Sequence, residues 1–203
     1  YAFTMPLILD ANGKKFGKSE GNALWLDKNK TSSYELYQFL INTDDSKVCE
    51  YLKVFTFLTP DEIESIMEIQ EKEPHLRKAQ KMLAKCIITD LHGEDEYLKA
   101  LNISECLFSD KIWTLSSDEI ISSIKDVPRF NITQEMPILD LLVNNNIVSS
   151  KREGREMLMN GAISINNIKV TDPDKVITKE DAIDKKVILL RKGKKNYYLG
   201  IMN

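Results

Sequence analysis

Lys15-Phe16-Gly17-Lys18-Ser19 is the stretch on which the fold turns. Read as the end of a phosphate-binding P-loop, it would demand a parallel-sheet nucleotide hydrolase with a helix starting at once after Ser19. The register opposes that. The glycine needed five residues before Gly17 is Asn12, and Ser19 is followed by Glu20-Gly21-Asn22. Two other readings stand: a solvated surface loop, or a loop whose chemistry matters. Two lysines three apart between glycines can converge on a triphosphate and neutralise the charge that builds as its α–β bond breaks. In either case residues 10–21 form a loop, after an apolar run at residues 5–9 that reads as a strand.

Beyond the loop the pattern turns helical. Ser32 and Glu35 have capping-box spacing, with Leu36, Phe39 and Leu40 on one face behind them. Asp44 can cap a second helix through Val48, Tyr51, Leu52 and Phe55. Thr59-Pro60-Asp61-Glu62 starts a third, which should stop before Pro74. A fourth is expected from about Leu76 to Leu91 with Gly93 ending it, and a fifth from about Asp95 to Cys106. Ser116 and Glu119 repeat the capping-box spacing for a short sixth. Residues 31–124 therefore read as a helical domain. Residues 125–136, with Pro128 and little periodicity, read as a linker.

Residues 137–203 behave differently. A short helix should follow Pro137, and Ser150 with Glu153 should cap another that ends at Asn160-Gly161. Ile163, Ile165, Ile168 and Val170 alternate about Asn166-Asn167, the pattern of a β-hairpin whose turn residues tolerate positive φ. A second strand pair should flank Gly193.

Charge follows the same division. Residues 30–136 hold 12 basic and 20 acidic groups, and residues 137–203 hold 12 and 8, in a chain whose net charge is -3. A basic tail behind an acidic middle suggests a separate unit facing a polyanion. Lys151, Arg152 and Arg155 lie early in one helix, where cations oppose the helix dipole and an external anion is an economical explanation. Arg191, Lys192, Lys194 and Lys195 add charge beside Tyr197 and Tyr198, a pair that reads as strand packing. Cys49, Cys86 and Cys106 are an odd set without C-x-x-C spacing and read as buried free thiols of a reducing compartment. No apolar run is long enough to cross a bilayer.

Residues 15–19 resemble the KMSKS loop of class I aminoacyl-tRNA synthetases, in the Lys-Phe-Gly-Lys-Ser/Thr form typical of bacterial tyrosyl-tRNA synthetases. The resemblance continues through Trp25-Leu26-Asp27, Lys30-Thr31-Ser32, residues 34–45, Tyr51-Leu52-Lys53, Ala79-Gln80-Lys81, His92-Gly93-Glu94 and Asp126-Val127-Pro128. The tail is similar to the αL RNA-binding module in Ser150 to Glu153, Arg155, Asn160 to Ile163 and Ile165-Asn166, with Gly154 in place of Ala and Asn167 in place of the turn Gly.

The resemblance implies a multidomain, mainly α chain with α+β parts. Residues 1–30 would be the remnant of a class I nucleotide-binding α/β domain. A helical anticodon-binding domain (31–124), the linker (125–136) and a small α+β RNA-binding module (137–203) would follow. It implies that Lys15, Gly17, Lys18 and Ser19 hold ATP, a substrate expected to bring Mg2+, with Lys15 and Lys18 catalytic. It implies tRNA(Tyr) as partner, met by Asp44, Ser150, Lys151, Arg152, Arg155, Lys192, Lys194 and Lys195. Asp44 falls where the family reads the first anticodon base. No metal site or bound cofactor is expected, nor a membrane. His75 and His92 lie in no His-Ile-Gly-His motif, and Tyr1 is no initiator Met. The chain thus reads as a piece of a cytoplasmic, homodimeric parent whose tyrosine pocket and dimer interface lie upstream. By itself it is expected to be monomeric and inactive. The rival from another class is a non-catalytic RNA-binding protein.

Overall fold

The computed structural model describes residues 1–4, 6–15, 24–125, 127–194 and 196–203. Among them the chain forms two compact units, residues 1–102 and 103–203.

The first unit is helical: α1 (Ser33–Ile41), α2 (Asp45–Phe55), α3 (Pro60–Lys72), α4 (Lys78–His92) and most of α5 (Glu94–Cys106). Each start is set by a local side chain. Ser32 and Glu35 close a capping box on α1, Thr59 and Glu62 close another on α3, and Asp44 caps α2. The stripes so positioned are buried, with Leu36, Tyr37, Leu40, Val48, Leu52, Leu83 and Ile88 all shielded from solvent and α1, α2 and α3 each packed on α4. α4 starts two residues later than its pattern suggests. Residues 74–76 form a single 3-10 turn, and Arg77 takes a left-handed φ of 50° before the α-helix can begin. From there its guanidinium donates to the Ile41 carbonyl at 2.6 Å. Of the strand expected at residues 5–9, the described residues 6–9 form none. Only an isolated antiparallel bridge joins Leu9 to Lys15, and Met5 lies outside the described residues. A strand needs a neighbour to take its backbone bonds, and residues 6–8 have none here.

The second unit holds α6 (Ser117–Ser123), α7 (Ile138–Asn144) and α8 (Lys151–Met159) against two sheets. β1 (Arg129–Ile132), β7 (Asn196–Met202), β6 (Val187–Lys192), β3 (Ile163–Ile165) and β4 (Ile168–Lys169) lie in that order in one; β2 (Met136–Pro137) pairs with β5 (Val176–Ile177) in the other. Residues 125–136, expected as a linker, thus contribute strand β1, parallel to β7 at the sheet edge. Arg129-Phe130-Asn131-Ile132 does alternate polar and apolar, but a four-residue run straight after Pro128 is a slight strand signal. Their partner is the last strand of the chain, where Gly200 leaves the space that the Phe130 ring fills: a Cβ there would stand 2.8 Å from the ring. Residues before 125 also belong to this unit. The Asn167 amide donates to the carbonyls of Leu107 and Ser109, Phe108 packs on Tyr197 at 5.1 Å, and Asp184 accepts from the Ser117 N–H.

The turn of the β3–β4 hairpin forms as its sequence suggests, with φ of 47° at Asn166 and 65° at Asn167. Ile168 is the exception to its alternation, since its side chain is exposed. Asn166 is fully buried. Its N–H donates to the Leu189 carbonyl, its Oδ1 accepts from the Leu189 N–H, and its Nδ2 donates to the Asp181 carbonyl, each at 2.8 Å. Asn166→Ala would strand a buried N–H and a carbonyl and lose a side chain suited to positive φ. We expect a loss of about 1–3 kcal/mol in urea unfolding. Gly200→Val should destabilise the same unit by about 1–3 kcal/mol through overpacking against Phe130. Unchanged midpoints for both variants would contradict this account of the sheet.

Candidate nucleic-acid and phosphate sites

In the first unit the candidates sit at two places. The Asp10 carboxylate accepts from the N–H groups of Asn12 and Lys14 at 2.9 and 2.8 Å, and Gly13 takes φ 76°. This tight turn presents Lys15 on the surface, exposed. Gly17, Lys18 and Ser19 lie outside the described residues. The second place is the corner between α1 and α2. Oδ1 of Asp44 accepts from the Ser46 N–H and hydroxyl at 2.9 and 2.6 Å, and these bonds hold the carboxyl below its usual range. Asp44 is exposed, and among the described residues no hydrogen bond is made to its Oδ2. Its neighbour takes the internal work. Oδ1 of Asp45 accepts from Gln80 and Gln70 at 2.6 and 3.1 Å, tying the corner to α4 and α3. A cavity of about 600 Å³ runs from this corner to the first turn, lined by Asp10, Asn12, Asn42, Asp44, Lys47 and Tyr51 among others.

In the second unit the basic set divides. Ser150 caps α8 by accepting from the Glu153 N–H at 3.2 Å. The Glu153 carboxylate does not return that bond to Ser150. It reaches one residue further back, to the N–H and hydroxyl of Ser149 at 2.7 and 2.6 Å. Lys192 donates to Glu153 and to the Ile147 carbonyl, at 3.2 and 2.7 Å, and Lys151 pairs with Asp140. Two of the expected RNA contacts therefore already hold partners within the chain. Arg152, Arg155 and Lys194 are exposed and, among the described residues, in no ion pair. Lys195 lies outside the described residues.

In the sequence Arg191 reads only as added charge. Its Nη2 donates to the Ser164 hydroxyl at 3.3 Å, and its Nε is buried with no hydrogen-bond partner among the described residues. Nothing in the sequence marks that environment, because Ser164 reaches Arg191 only through strand pairing. Tyr197 and Tyr198 are both half-buried, the former on Phe108. Gly154 is also accounted for: a Cβ there would come within 3.0 Å of the Leu139 side chain, so its absence lets α8 lie close to α7. Among the described residues no group of three or more His, Cys, Asp or Glu side chains could hold a metal ion. None of their helices is long and apolar enough to cross a membrane.

Two family models match the chain. One, for class I tRNA synthetases (W and Y), covers residues 1–109; the other, a tyrosine–tRNA ligase SYY-like C-terminal domain, covers residues 119–200. Curated tyrosine–tRNA ligases of Bacillus pumilus and Streptococcus pneumoniae are 48% and 46% identical over 201 residues. That stretch is 98% of this chain and 48% of each relative, so the chain spans about half the length of the relatives it matches. Among solved structures, a C-terminally truncated mitochondrial tyrosyl-tRNA synthetase of Aspergillus nidulans is 45% identical, covering 45% of this chain and 25% of that one at a TM-score of 0.42. The solution structure of a tyrosyl-tRNA synthetase C-terminal domain is 38% identical, covering 48% of this chain and 99% of that one at 0.40.

The bonds from Ser149, and after them Lys192, pull the Glu153 carboxyl down to about 2 from an ordinary value of 4.5. A carboxyl lowered in the folded state stabilises it fully above its unfolded value and loses that contribution as pH falls through the folded one. The stability gap between the wild-type chain and Glu153→Gln should therefore be constant near neutral pH and close between about 4.5 and 2. Urea midpoints at neutral and strongly acidic pH measure it. A gap that stays constant throughout would remove Glu153 as the anchor of the α8 start.

Proposed function

The chain belongs to the class I tRNA synthetases of the tryptophan and tyrosine group, in the tyrosine–tRNA ligase family, and from that membership we propose that the intact protein attaches tyrosine to tRNA(Tyr). The observation that carries this reading is identity of 48% spread over 98% of the chain, across both units. In the first step the tyrosine carboxylate attacks the α-phosphorus of ATP, the α–β bond breaks, and tyrosyl-adenylate and pyrophosphate result. In the second, a terminal ribose hydroxyl of the tRNA takes the tyrosyl group and AMP leaves.

In this proposal Lys15, exposed at the end of its turn, acts with Gly17, Lys18 and Ser19 on the ATP phosphates. There the lysine charges stabilise pyrophosphate as it departs. Mg2+ would arrive with the triphosphate, and none of the described residues is assigned to it. Asp44 has an open carboxylate oxygen at a fixed corner, suited to accept from the guanine N1–H and N2–H2 edge that adenine lacks. Arg152, Arg155 and Lys194, with Ser150 and Lys195, would meet the tRNA backbone. Lys151 and Lys192 would contribute field to the same surface while bound to Asp140 and Glu153. The division of labour we propose keeps residues 1–30 with ATP, residues 31–124 with the anticodon, and the basic tail with the tRNA body. The parent would work in the cytoplasm as a homodimer joined through parts outside this chain, which by itself would be a monomer. Charging of bulk tRNA with tyrosine by the intact protein tests the proposal, and absence of charging overturns it.

Two further outcomes follow. Asn caps a helix as well as Asp does, so Asp44→Asn in the intact protein should leave the melting temperature unchanged. It should weaken discrimination between tRNAs that differ at the first anticodon base, as charging assays would read; intact discrimination would leave Asp44 a helix cap only. For the tail, Arg152→Glu should weaken binding of this chain to all RNAs alike and lower the slope of log affinity against log salt by about 1. Lys151→Gln should have the smaller effect, because Asp140 already shares that charge. Titrations with tRNA at two salt concentrations decide, and salt-insensitive binding would refute a phosphate-facing tail.

A further inference from the structure

Both flanks of residues 16–23 are tied to the helices of the first unit by side chains that the function above has not used. On the incoming side, the buried Tyr51 of α2 donates its hydroxyl proton to the Leu9 carbonyl at 3.1 Å. Leu9 is the residue bridged to Lys15, so this bond fixes the base of the turn that presents that lysine. Charge supports the seat. Lys47 pairs with Glu50 at 2.9 Å and feels the fields of Tyr51 and Asp10, and Asp10 organises the turn itself. On the outgoing side, Nε2 of His92, at the end of α4, lies 2.8 Å from the Leu26 carbonyl. A carbonyl only accepts, so Nε2 carries the proton. Nδ1 lies 2.9 Å from the Ser33 hydroxyl oxygen, whose proton is donated to Glu96. The segment held there is itself ordered: the Trp25 N–H donates to the buried Thr31 hydroxyl, and the Lys30 ammonium sits 4.0 Å over the Trp25 ring.

Both contacts reach outside the helices that carry them. Each spends a polar group of a helix on a main-chain carbonyl 42 or 66 residues away in sequence. We propose that Tyr51 and His92 are positioning residues for amino-acid activation, holding Leu9, which is bridged to Lys15, and Leu26 so that Lys15 stands at a fixed place when ATP is bound. The inference rests on the synthetase reading given above. Misplacement of a charged group by about 1 Å can cost on the order of 100-fold in rate, whereas neither stem need touch tyrosine. The clamp should therefore act on the rate of adenylate formation and leave tyrosine affinity alone.

The experiment uses the intact protein and follows tyrosine-dependent ATP–pyrophosphate exchange, tyrosine binding and thermal unfolding. Tyr51→Phe keeps the ring and loses only the hydroxyl. His92→Ala loses the donor, and His92→Gln can restore an N–H toward Leu26. We expect Tyr51→Phe and His92→Ala each to lower the maximal exchange rate by about tenfold or more, with tyrosine affinity and unfolding temperature kept, and His92→Gln to recover most of the rate. Exchange at the wild-type rate in Tyr51→Phe and His92→Ala would overturn the inference and leave the synthetase reading standing. A parallel fall in tyrosine affinity and unfolding temperature would make the two contacts general supports and also overturn it. No exchange by the wild-type protein would overturn both readings together.

Discussion

One buried amide governs the C-terminal unit. Asn166 sits in a turn with a left-handed φ and no exposure to solvent. A buried turn has backbone groups that no water can satisfy, so a side chain with both donor and acceptor must meet them. Asn166 does so with its amide oxygen on the Leu189 N–H and its amide nitrogen on the Asp181 carbonyl. That pins the hairpin to the middle of β6 and to the 3-10 turn at 179–181. Asn167, next to it, extends the same turn outward to the carbonyls of Leu107 and Ser109. A glycine would relieve the backbone at that position but could not make those bonds. The replacement of the usual turn glycine is thus a structural choice that joins residues 103–125 to the sheet.

The electrostatics of the same unit rest on what is left after internal demands are met. Glu153 is held by Ser149 and Lys192, and Asp140 by Lys151, so the start of α8 is a closed network of charges. Such a network sets the direction of the helix and keeps Gly154 close under α7. Arg152 and Arg155 lie on that helix and Lys194 in the β6–β7 turn, all exposed and, among the described residues, in no ion pair. Their charges are therefore available to an outside polyanion.

A similar separation of duties appears where α1 meets α2. Two adjacent carboxylates stand at the corner, and only Asp45 is drawn inward, to Gln70 and Gln80. Asp44 spends one oxygen on the helix start, and among the described residues no hydrogen bond is made to the other. Rigidity at the corner comes from the buried glutamines, so that oxygen is held in place without being consumed. The same helix carries Tyr51 to the Leu9 carbonyl, which makes α2 the element that links the corner to the turn bearing Lys15.

What the sequence by itself determined is local. The caps at Ser32, Asp44, Thr59 and Ser116, the stop before Pro74 and the Asn166-Asn167 turn could all be read from it. Each depends on groups two to four residues apart, whose geometry the backbone sets. The basic tail was legible too, since charge counts need no fold. Tertiary structure decided the rest. Strand β1 carries only a four-residue alternation, and its place is set by pairing with β7, where Gly200, 70 residues away from Phe130, leaves room for an aromatic ring. The late start of α4 follows from the left-handed Arg77 reaching Ile41. Which lysines stay free, and which side chains hold the flanks of residues 16–23, depend on partners 11 to 66 residues distant. Such pairings carry no local pattern: they are chosen by the packing of whole elements, and only the packed chain brings the two groups within hydrogen-bonding reach.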